Sequence, residues 1–96
     1  MKIIFSPFAE TDLTGSIQYY NEQKENLGNE FFQFVSNLID RIKSNPKQFP
    51  IYYKKIRRAN TYRFPFSKYF TIAKEDIFIL AVFHNNRNPK TLNYRL

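Results

Sequence analysis

The pattern of apolar and polar positions changes near Pro50. Before Pro50, apolar residues recur every three or four positions, which is the spacing of amphipathic helices. After it, apolar and aromatic residues alternate with polar ones or form short continuous runs, which is typical of β-strands. The chain is therefore predicted to consist of a helical part followed by a sheet.

A short strand and a first helix are predicted at the start of the chain. Lys2 to Phe5 is short, apolar and β-leaning, so we interpret it as a strand. Ser6-Pro7 predicts a helix start, because Ser is a favoured N-cap and Pro suits the first helical position. The apolar face, which continues to about Lys24, is formed by residues at helical spacing: Ala9, Leu13, Ile17 and Tyr20.

A second helix is predicted after a break at Asn26-Leu27-Gly28. It ends at Ser44-Asn45-Pro46, since the residue before a proline disfavours the helical conformation. The short connection predicts that the two helices form an antiparallel hairpin. The inner face of the second helix is formed by apolar residues at helical spacing: Phe31, Phe34/Val35, Leu38 and Ile42.

The part after Pro50 is predicted to be an antiparallel meander. Ile51 to Arg58 is rich in tyrosine and base, and Pro65 restricts Tyr62 to Phe66 to a strand end or edge. Lys68 to Lys74 and Ile77 to Phe83 form a hairpin around a turn at Glu75-Asp76. The predicted fold is α+β, in the order β-α-α-β-β-β, with a helical hairpin packed on a small antiparallel sheet. Residues 1–96 are predicted to form one domain.

Charge is segregated along the chain, whose formal net charge is +7. Residues 1–40 hold two bases and six acids, a net charge of −4, whereas residues 41–96 hold thirteen bases and two acids, a net charge of +11. A basic half of this density predicts a polyanionic or acidic partner.

Several classes of protein are disfavoured by composition. The chain has no cysteine, which excludes disulfides and cysteine-based metal sites, and its single histidine disfavours other zinc sites. No apolar run has the length of a signal peptide core or a membrane span. We expect a cytoplasmic protein with no membrane association, no metal and no cofactor.

The only histidine, His84, ends the apolar run Ile77–Phe83, and Arg87 follows three residues later. A buried strand is a rigid support, so this arrangement can hold a titratable group beside a fixed positive charge. The alternative is that His84 merely caps the strand and that Arg87 is a solvated loop charge.

The order of several short motifs resembles the RelE/ParE toxin superfamily of bacterial type II toxin–antitoxin modules, including plasmid-stabilisation toxins. The matching motifs cover nearly the whole chain. In chain order they are Ser-Pro-Phe-Ala-Glu-Thr-Asp-Leu from Ser6, Tyr19-Tyr20, Leu27-Gly28-Asn29-Glu30-Phe31, Asn45-Pro46, Phe49-Pro50, Arg57-Arg58, Phe64-Pro65-Phe66, Ile77–Val82, and His84 with Arg87 and Pro89.

The resemblance implies a toxin that an antitoxin, typically acidic, holds inactive in a hetero-oligomer. A basic toxin suits such a partner, because complementary charge speeds encounter and fixes register. Tyr52, Tyr53 and Tyr62 are candidates for that interface. They are equally compatible with ordinary strand tyrosines that pack on the sheet.

One branch of the superfamily is a ribosome-dependent mRNA endoribonuclease. For that activity, His84 is the candidate acid or base, because its unperturbed pKa lies near neutrality. The candidate phosphate clamps are arginines, whose planar donors meet phosphate bidentately: Arg58, Arg63 and Arg87. Tyr94, as a further catalytic candidate, and Arg95, as a residue that binds the nucleic acid or a partner, complete the predicted site. This branch tends to carry an arginine where this chain has Ser67, and strand alternation places Lys68 on the opposite face.

A basic cluster, Lys54-Lys55 and Arg57-Arg58, is predicted to make nonspecific phosphate contacts or contacts with a partner. Its alternative role is protection of a sheet edge against aggregation.

The other branch of the superfamily inhibits DNA gyrase and needs a docking surface without an acid–base set. The target is therefore left open between gyrase and the ribosome with its mRNA. A third alternative is an inactive basic module that acts with its antitoxin in transcriptional autoregulation.

Overall fold

A computed structural model describes residues 1–61, 63–85, 87 and 89–95. Tyr62, a predicted interface residue, lies outside the described residues. The strands are β1 (Ile3–Phe5), β2 (Ile51–Tyr53), β3 (Ile56–Asn60), β4 (Phe66–Ala73) and β5 (Asp76–His84). The helices are α1 (Pro7–Gln23) and α2 (Leu27–Ser44), with two 3-10 helices at Pro46–Gln48 and Pro89–Tyr94.

The helical hairpin is confirmed, and its ends follow from local chemistry. Ser6 caps α1, because its Oγ accepts the Ala9 N–H at 3.1 Å, and Pro7 is the first helical residue. The chain reverses at Asn26, which adopts a left-handed conformation with φ 65°. Both helices use the predicted faces against the sheet, and α2 ends before Pro46. The buried α2 residues are Gly28, Phe31, Val35, Leu38 and Ile42.

The sheet has five strands in the order β1-β5-β4-β3-β2, so the α+β class is confirmed with two differences from the predicted meander. The segment predicted as one strand, Ile51 to Arg58, is a hairpin of β2 and β3 with its turn at Lys54-Lys55. Lys54 adopts φ 53° there, a conformation usually left to Gly or Asn. The second difference is that β1 pairs in parallel with β5, which makes the sheet mixed.

The boundaries of two strand segments also differ from the predicted ones. The last hairpin turns at Lys74-Glu75, one residue earlier than predicted, because Ala73 pairs with Asp76. In the segment predicted around Pro65, residues 63–65 form a bend and only Phe66 enters β4.

Apolar residues fill both sides of the sheet. The main core lies between the helices and the sheet and contains an aromatic group of Tyr20, Phe31, Phe64 and Phe66. A smaller core lies on the opposite side of the sheet, here called the outer face, where Leu92 covers Ile56, Tyr69 and Phe83. A register shift opposite Tyr69 and Phe70 places both Leu80 and Ala81 in this outer core. The chain segment after β5 therefore packs against the sheet.

The two glycines predict opposite responses to alanine. A Cβ at Gly15, within α1, would have no heavy atom within 4 Å, so Gly15→Ala is expected to stabilise the protein by about 0.5–1 kcal/mol. A Cβ at Gly28 would overlap the Ile17 carbonyl and lie 2.6 Å from Cγ of Asn21, so Gly28→Ala is expected to cost about 1–3 kcal/mol. Urea unfolding of both variants measures the difference. Equal effects would contradict this packing of α1 on α2.

Candidate functional site

The pairing of β4 with β5 decides which predicted site residues share a face. Phe66 lies opposite His84, and Ser67 lies opposite Phe83. Because side chains alternate along a strand, Phe66 and His84 project toward the helices, whereas Ser67 and Phe83 project to the outer face. The two cores confirm this assignment, since Phe66 is in the helix-side core and Phe83 is in the outer one.

His84 lines a cleft between α1 and the end of β5, which we call the His84–Arg87 cleft. Its volume is about 510 Å³, and Thr11, Gly15, Ser16 and Tyr19 of α1 form one wall. The Phe66 ring lies edge-on to the imidazole, with 5.2 Å between ring centroids. The absence of a side chain at Gly15 leaves this part of the helix surface open.

Arg87 lies beside His84, as the sequence predicted. Its N–H donates to the His84 carbonyl at 2.9 Å, and its guanidinium carbon lies 4.3 Å from the centroid of the Phe83 ring. The guanidinium also forms an ion pair with Asp12 at 3.7 Å, while 46% of the Arg87 side chain remains exposed. His84 and Arg87 therefore form one half-open polar site.

Asp12 completes the edge of β5, a role that sequence reasoning missed. The short β1 pairs with β5 only from Ile77 to Ile79, so the following residues of β5 have a free edge. Asp12 Oδ2 accepts the Val82 N–H at 3.0 Å, and the Asp12 side chain is only 7% exposed. In the sequence, Asp12 shows only the general preference for acids near the amino end of a helix, where they stabilise the helix dipole. Its strand partner, Val82, is 70 residues away, so no local pattern links the two.

Arg95 is bound to the same carboxylate. Its guanidinium donates to Asp12 Oδ2 at 2.6 Å and to Asp12 Oδ1 at 3.2 Å, and it also donates to the Leu80 carbonyl at 3.3 Å. Only 9% of the Arg95 side chain is exposed. This predicted binding residue is therefore engaged in closing the edge of β5, and a contact with an external phosphate would require those bonds to break.

Arg58 lies on the outer face, away from His84. Its guanidinium carbon lies 4.8 Å from the centroid of the Tyr52 ring, and that ring contacts Tyr69 edge-on at 5.4 Å. Arg57 projects to the helix side, where it donates to the Phe49 carbonyl at 2.7 Å. Lys54 and Lys55 form the exposed tip of the β2–β3 hairpin. The basic cluster is thus divided between two faces and a turn, as strand alternation predicts.

Arg63 and Tyr94 lie apart from the His84–Arg87 cleft and from the residues around Arg58. Arg63 pairs with Glu30 of α2 at 3.1 Å and lies over the rings of Phe34 and Phe64. Tyr94 is 87% exposed in the Pro89–Tyr94 3-10 helix. Of the five predicted catalytic residues, the structure brings together only His84 and Arg87.

Ser67 occupies a closed position on the outer face. It is 2% exposed, and its Oγ lies 2.5 Å from Oδ1 of Asn60 and 2.6 Å from Oδ1 of Asn85. Three neighbouring strand and turn residues therefore share one group of polar contacts at this point. A long cationic side chain at position 67 would have to displace the two asparagines, which are both exposed.

Lys68 projects to the opposite side from Ser67, as predicted, and is buried. It is 1% exposed, its Nζ donates to the Val35 carbonyl at 3.3 Å, and its ammonium lies 5.2 Å from the centroid of the Phe5 ring. Burial lowers the pKa of Lys68 from 10.5 to about 7. Its neighbours include no carboxylate in an ion pair with it among the described residues.

Two negative findings hold for the described part of the chain. Its His, Asp and Glu side chains form no group of three or more that could hold a metal ion. Its helices include none with the length and apolar character needed to cross a membrane.

Comparison with known proteins gives one family and a similar fold. The family model of the ParE toxin of the type II toxin–antitoxin system parDE matches residues 3–89. Among solved structures, a chain of the chromosomal ParDE toxin–antitoxin system from P. aeruginosa is similar, with a TM-score of 0.78 and 19% identity, over 88% of this chain and 95% of that one. A search of curated protein sequences gave no match. Since the family model spans most of its length, the chain belongs to the ParE toxin family of type II toxin–antitoxin systems.

Proposed function

We propose that this protein arrests growth by docking onto DNA gyrase, without cleaving RNA, and that an acidic antitoxin neutralises it in the cytoplasm. The observation that carries the proposal is that His84 and Arg58 lie on opposite faces of the sheet. Cleavage of RNA by its 2′-hydroxyl needs a proton acceptor, a proton donor and cations around a single phosphate. His84 and Arg58 cannot meet one phosphate through a packed sheet.

Of the remaining predicted clamps, one lies beside His84 and one does not. Arg63 pairs with Glu30 at the helical hairpin, whereas Arg87 lines the cleft with His84 and also pairs with Asp12. At position 67, where the ribonuclease branch tends to carry an arginine, this chain has a serine whose hydroxyl contacts Asn60 and Asn85. These contacts favour the branch of the superfamily that needs only a docking surface.

The proposal predicts inhibition of gyrase by the purified toxin. We expect it to inhibit supercoiling of relaxed plasmid by gyrase and to leave mRNA intact on programmed ribosomes. A His84→Gln/Arg58→Gln variant separates the mechanisms, because loss of a general acid or base costs about 10²–10⁴-fold in rate. We expect this variant to retain inhibition of gyrase to within about threefold, because most residues of a docking surface contribute little to affinity.

Two different outcomes would contradict inhibition of gyrase. Ribosome-dependent mRNA cleavage that is lost in the double variant would establish the ribonuclease activity. Absence of both activities would favour the inactive module that acts in autoregulation. Pulse labelling after induced expression extends the test to cells: thymidine incorporation should fall before methionine incorporation if gyrase is the target.

A further inference from the structure

The cation that lines the His84–Arg87 cleft has unused hydrogen-bond donors. A guanidinium carries five N–H donors. The Arg87 guanidinium meets Asp12 only as an ion pair at 3.7 Å, and within the described part of the chain its side chain donates no hydrogen bond. Packing on the Phe83 ring at 4.3 Å holds the guanidinium in place. Arg87 therefore presents oriented donors to the cleft.

The carboxylate in the cleft is already neutralised by another residue. Arg95 donates to both oxygens of Asp12, at 2.6 and 3.2 Å, and the Val82 N–H donates to it at 3.0 Å. The Asp12 side chain is only 7% exposed, whereas that of Arg87 is 46% exposed. The cleft thus has an excess of positive charge that solvent can reach, which favours an anionic ligand.

The wall of the cleft that α1 forms carries two hydroxyls that can only accept a further hydrogen bond. Thr11 Oγ1 donates to the Pro7 carbonyl at 3.1 Å, and Ser16 Oγ donates to the Asp12 carbonyl at 2.8 Å. A hydroxyl has one hydrogen and two lone pairs, so each oxygen has used its hydrogen and can still accept. This wall suits ligand groups that donate, such as hydroxyls.

The size and apolar lining of the cleft also suit a small molecule. Its volume of about 510 Å³ lies within the range of roughly 300–1,000 Å³ that is typical of small-molecule sites. Phe66 and Val82 supply buried apolar lining, and Tyr19 supplies a ring that is 54% exposed. An exposed aromatic ring can pack on a sugar or stack on a nucleobase.

We propose that the His84–Arg87 cleft binds a small phosphate monoester that carries hydroxyl groups, either a sugar phosphate or a nucleoside monophosphate. The planar fork of Arg87 matches phosphate oxygens, and the sugar hydroxyls would donate to Thr11 and Ser16. An acidic side chain of a protein would satisfy Arg87 but would leave both hydroxyl acceptors unused. The two walls together therefore favour the phosphorylated sugar. This site is independent of the inhibition of gyrase.

The class of ligand is tested with three probes: inorganic phosphate, ribose 5-phosphate and AMP. Each is titrated into the wild-type protein, and the NMR signals of the Thr11, Ser16 and Arg87 amides should shift. We expect ribose 5-phosphate to bind about tenfold or more tightly than inorganic phosphate, because its hydroxyls add hydrogen bonds. A further gain of about tenfold with AMP would assign the site to nucleotides, and equal affinities would assign it to sugar phosphates.

The location of the ligand is tested by filling the cleft. Gly15 lines the cleft, and a Cβ there would have no heavy atom within 4 Å, so Gly15→Phe places a ring in open space. Thr14→Phe is the matched control, because Thr14 is exposed on the same helix and lines only the neighbouring groove. We expect only Gly15→Phe to weaken binding of ribose 5-phosphate, by about tenfold or more, while both variants unfold cooperatively in urea.

The role of the guanidinium is tested without removing its charge. Arg87→Lys keeps the positive charge and removes the planar fork, so we expect it to weaken binding of ribose 5-phosphate by about tenfold. Arg63→Lys is the control, because Arg63 is half exposed and pairs with Glu30, away from the cleft. Its affinity for ribose 5-phosphate should stay within about threefold of the wild type.

Three results would overturn the site. Absence of any shift with ribose 5-phosphate and AMP would mean that the cleft binds neither. Affinity for ribose 5-phosphate no greater than for inorganic phosphate would mean that Arg87 acts only as an exposed cation. Equal binding to Gly15→Phe and to the wild type would place the ligand elsewhere. The supercoiling assay tests the proposed function separately, so none of these results would decide it.

Discussion

Replacement of Asp12 by alanine is expected to lower the free energy of unfolding by about 3–5 kcal/mol, the usual cost of removing one partner of a buried ion pair. The Arg95 guanidinium, 9% exposed, would lose its carboxylate, and the Val82 N–H would lose its acceptor. The free edge of β5 would thus keep a buried cation and an unpaired donor, both of which are costly.

Urea unfolding of Asp12→Ala measures this loss, and Glu10→Ala is the matched control. Glu10 also lies in α1 but is exposed, so its removal should cost less than about 1 kcal/mol. Arg95→Met and the Asp12→Ala/Arg95→Met double variant complete a cycle in which the double variant should lose less than the sum of the single ones. Additive losses would mean that Asp12 and Arg95 do not act together.

The helices and the last hairpin could be predicted because their signals are local. Ser6-Pro7 specifies the start of α1, and Pro46 specifies the end of α2. The turn between β2 and β3 was missed because Lys54-Lys55 lacks the Gly or Asn that usually marks a left-handed turn residue. The parallel pairing of β1 with β5 was missed because Ile3 and Ile77 are far apart in sequence and a three-residue strand carries no signal of its partner.

The arrangement of the candidate site could not be predicted either, because it depends on contacts between residues far apart in the sequence. The resemblance identified His84, Arg58 and Arg87 as separate motifs, but their arrangement depends on strand register, which sequence spacing alone does not fix. The observed pairing of Phe66 with His84 places the imidazole on the helix side, opposite Arg58. Arg95 and Asp12 are 83 residues apart, so no local pattern could identify them as a pair.

Lys68 is expected to make the stability of this protein rise with pH above neutrality. Its pKa is lowered by burial to about 7, whereas in the unfolded chain it is the ordinary 10.5. Between these values the unfolded state binds a proton that the folded state does not, so the free energy of unfolding increases with pH, by up to about 1.4 kcal/mol per pH unit. Below pH 7 both states are protonated, and the cost of burying the charge is fully present.

Lys68→Met removes this cost and keeps a flexible apolar side chain in the same space. At pH 6 we expect the variant to be more stable than the wild type by a few kcal/mol. This is the free energy that corresponds to the difference between the pKa of Lys68 in the unfolded chain and in the folded protein. The gap should narrow as pH rises from 7 to 9.5, since wild-type Lys68 becomes neutral in the folded protein first. Urea unfolding at several pH values measures the gap. A gap that is constant with pH would show that Lys68 stays charged in the folded state, with the Val35 carbonyl and the Phe5 ring compensating for its burial.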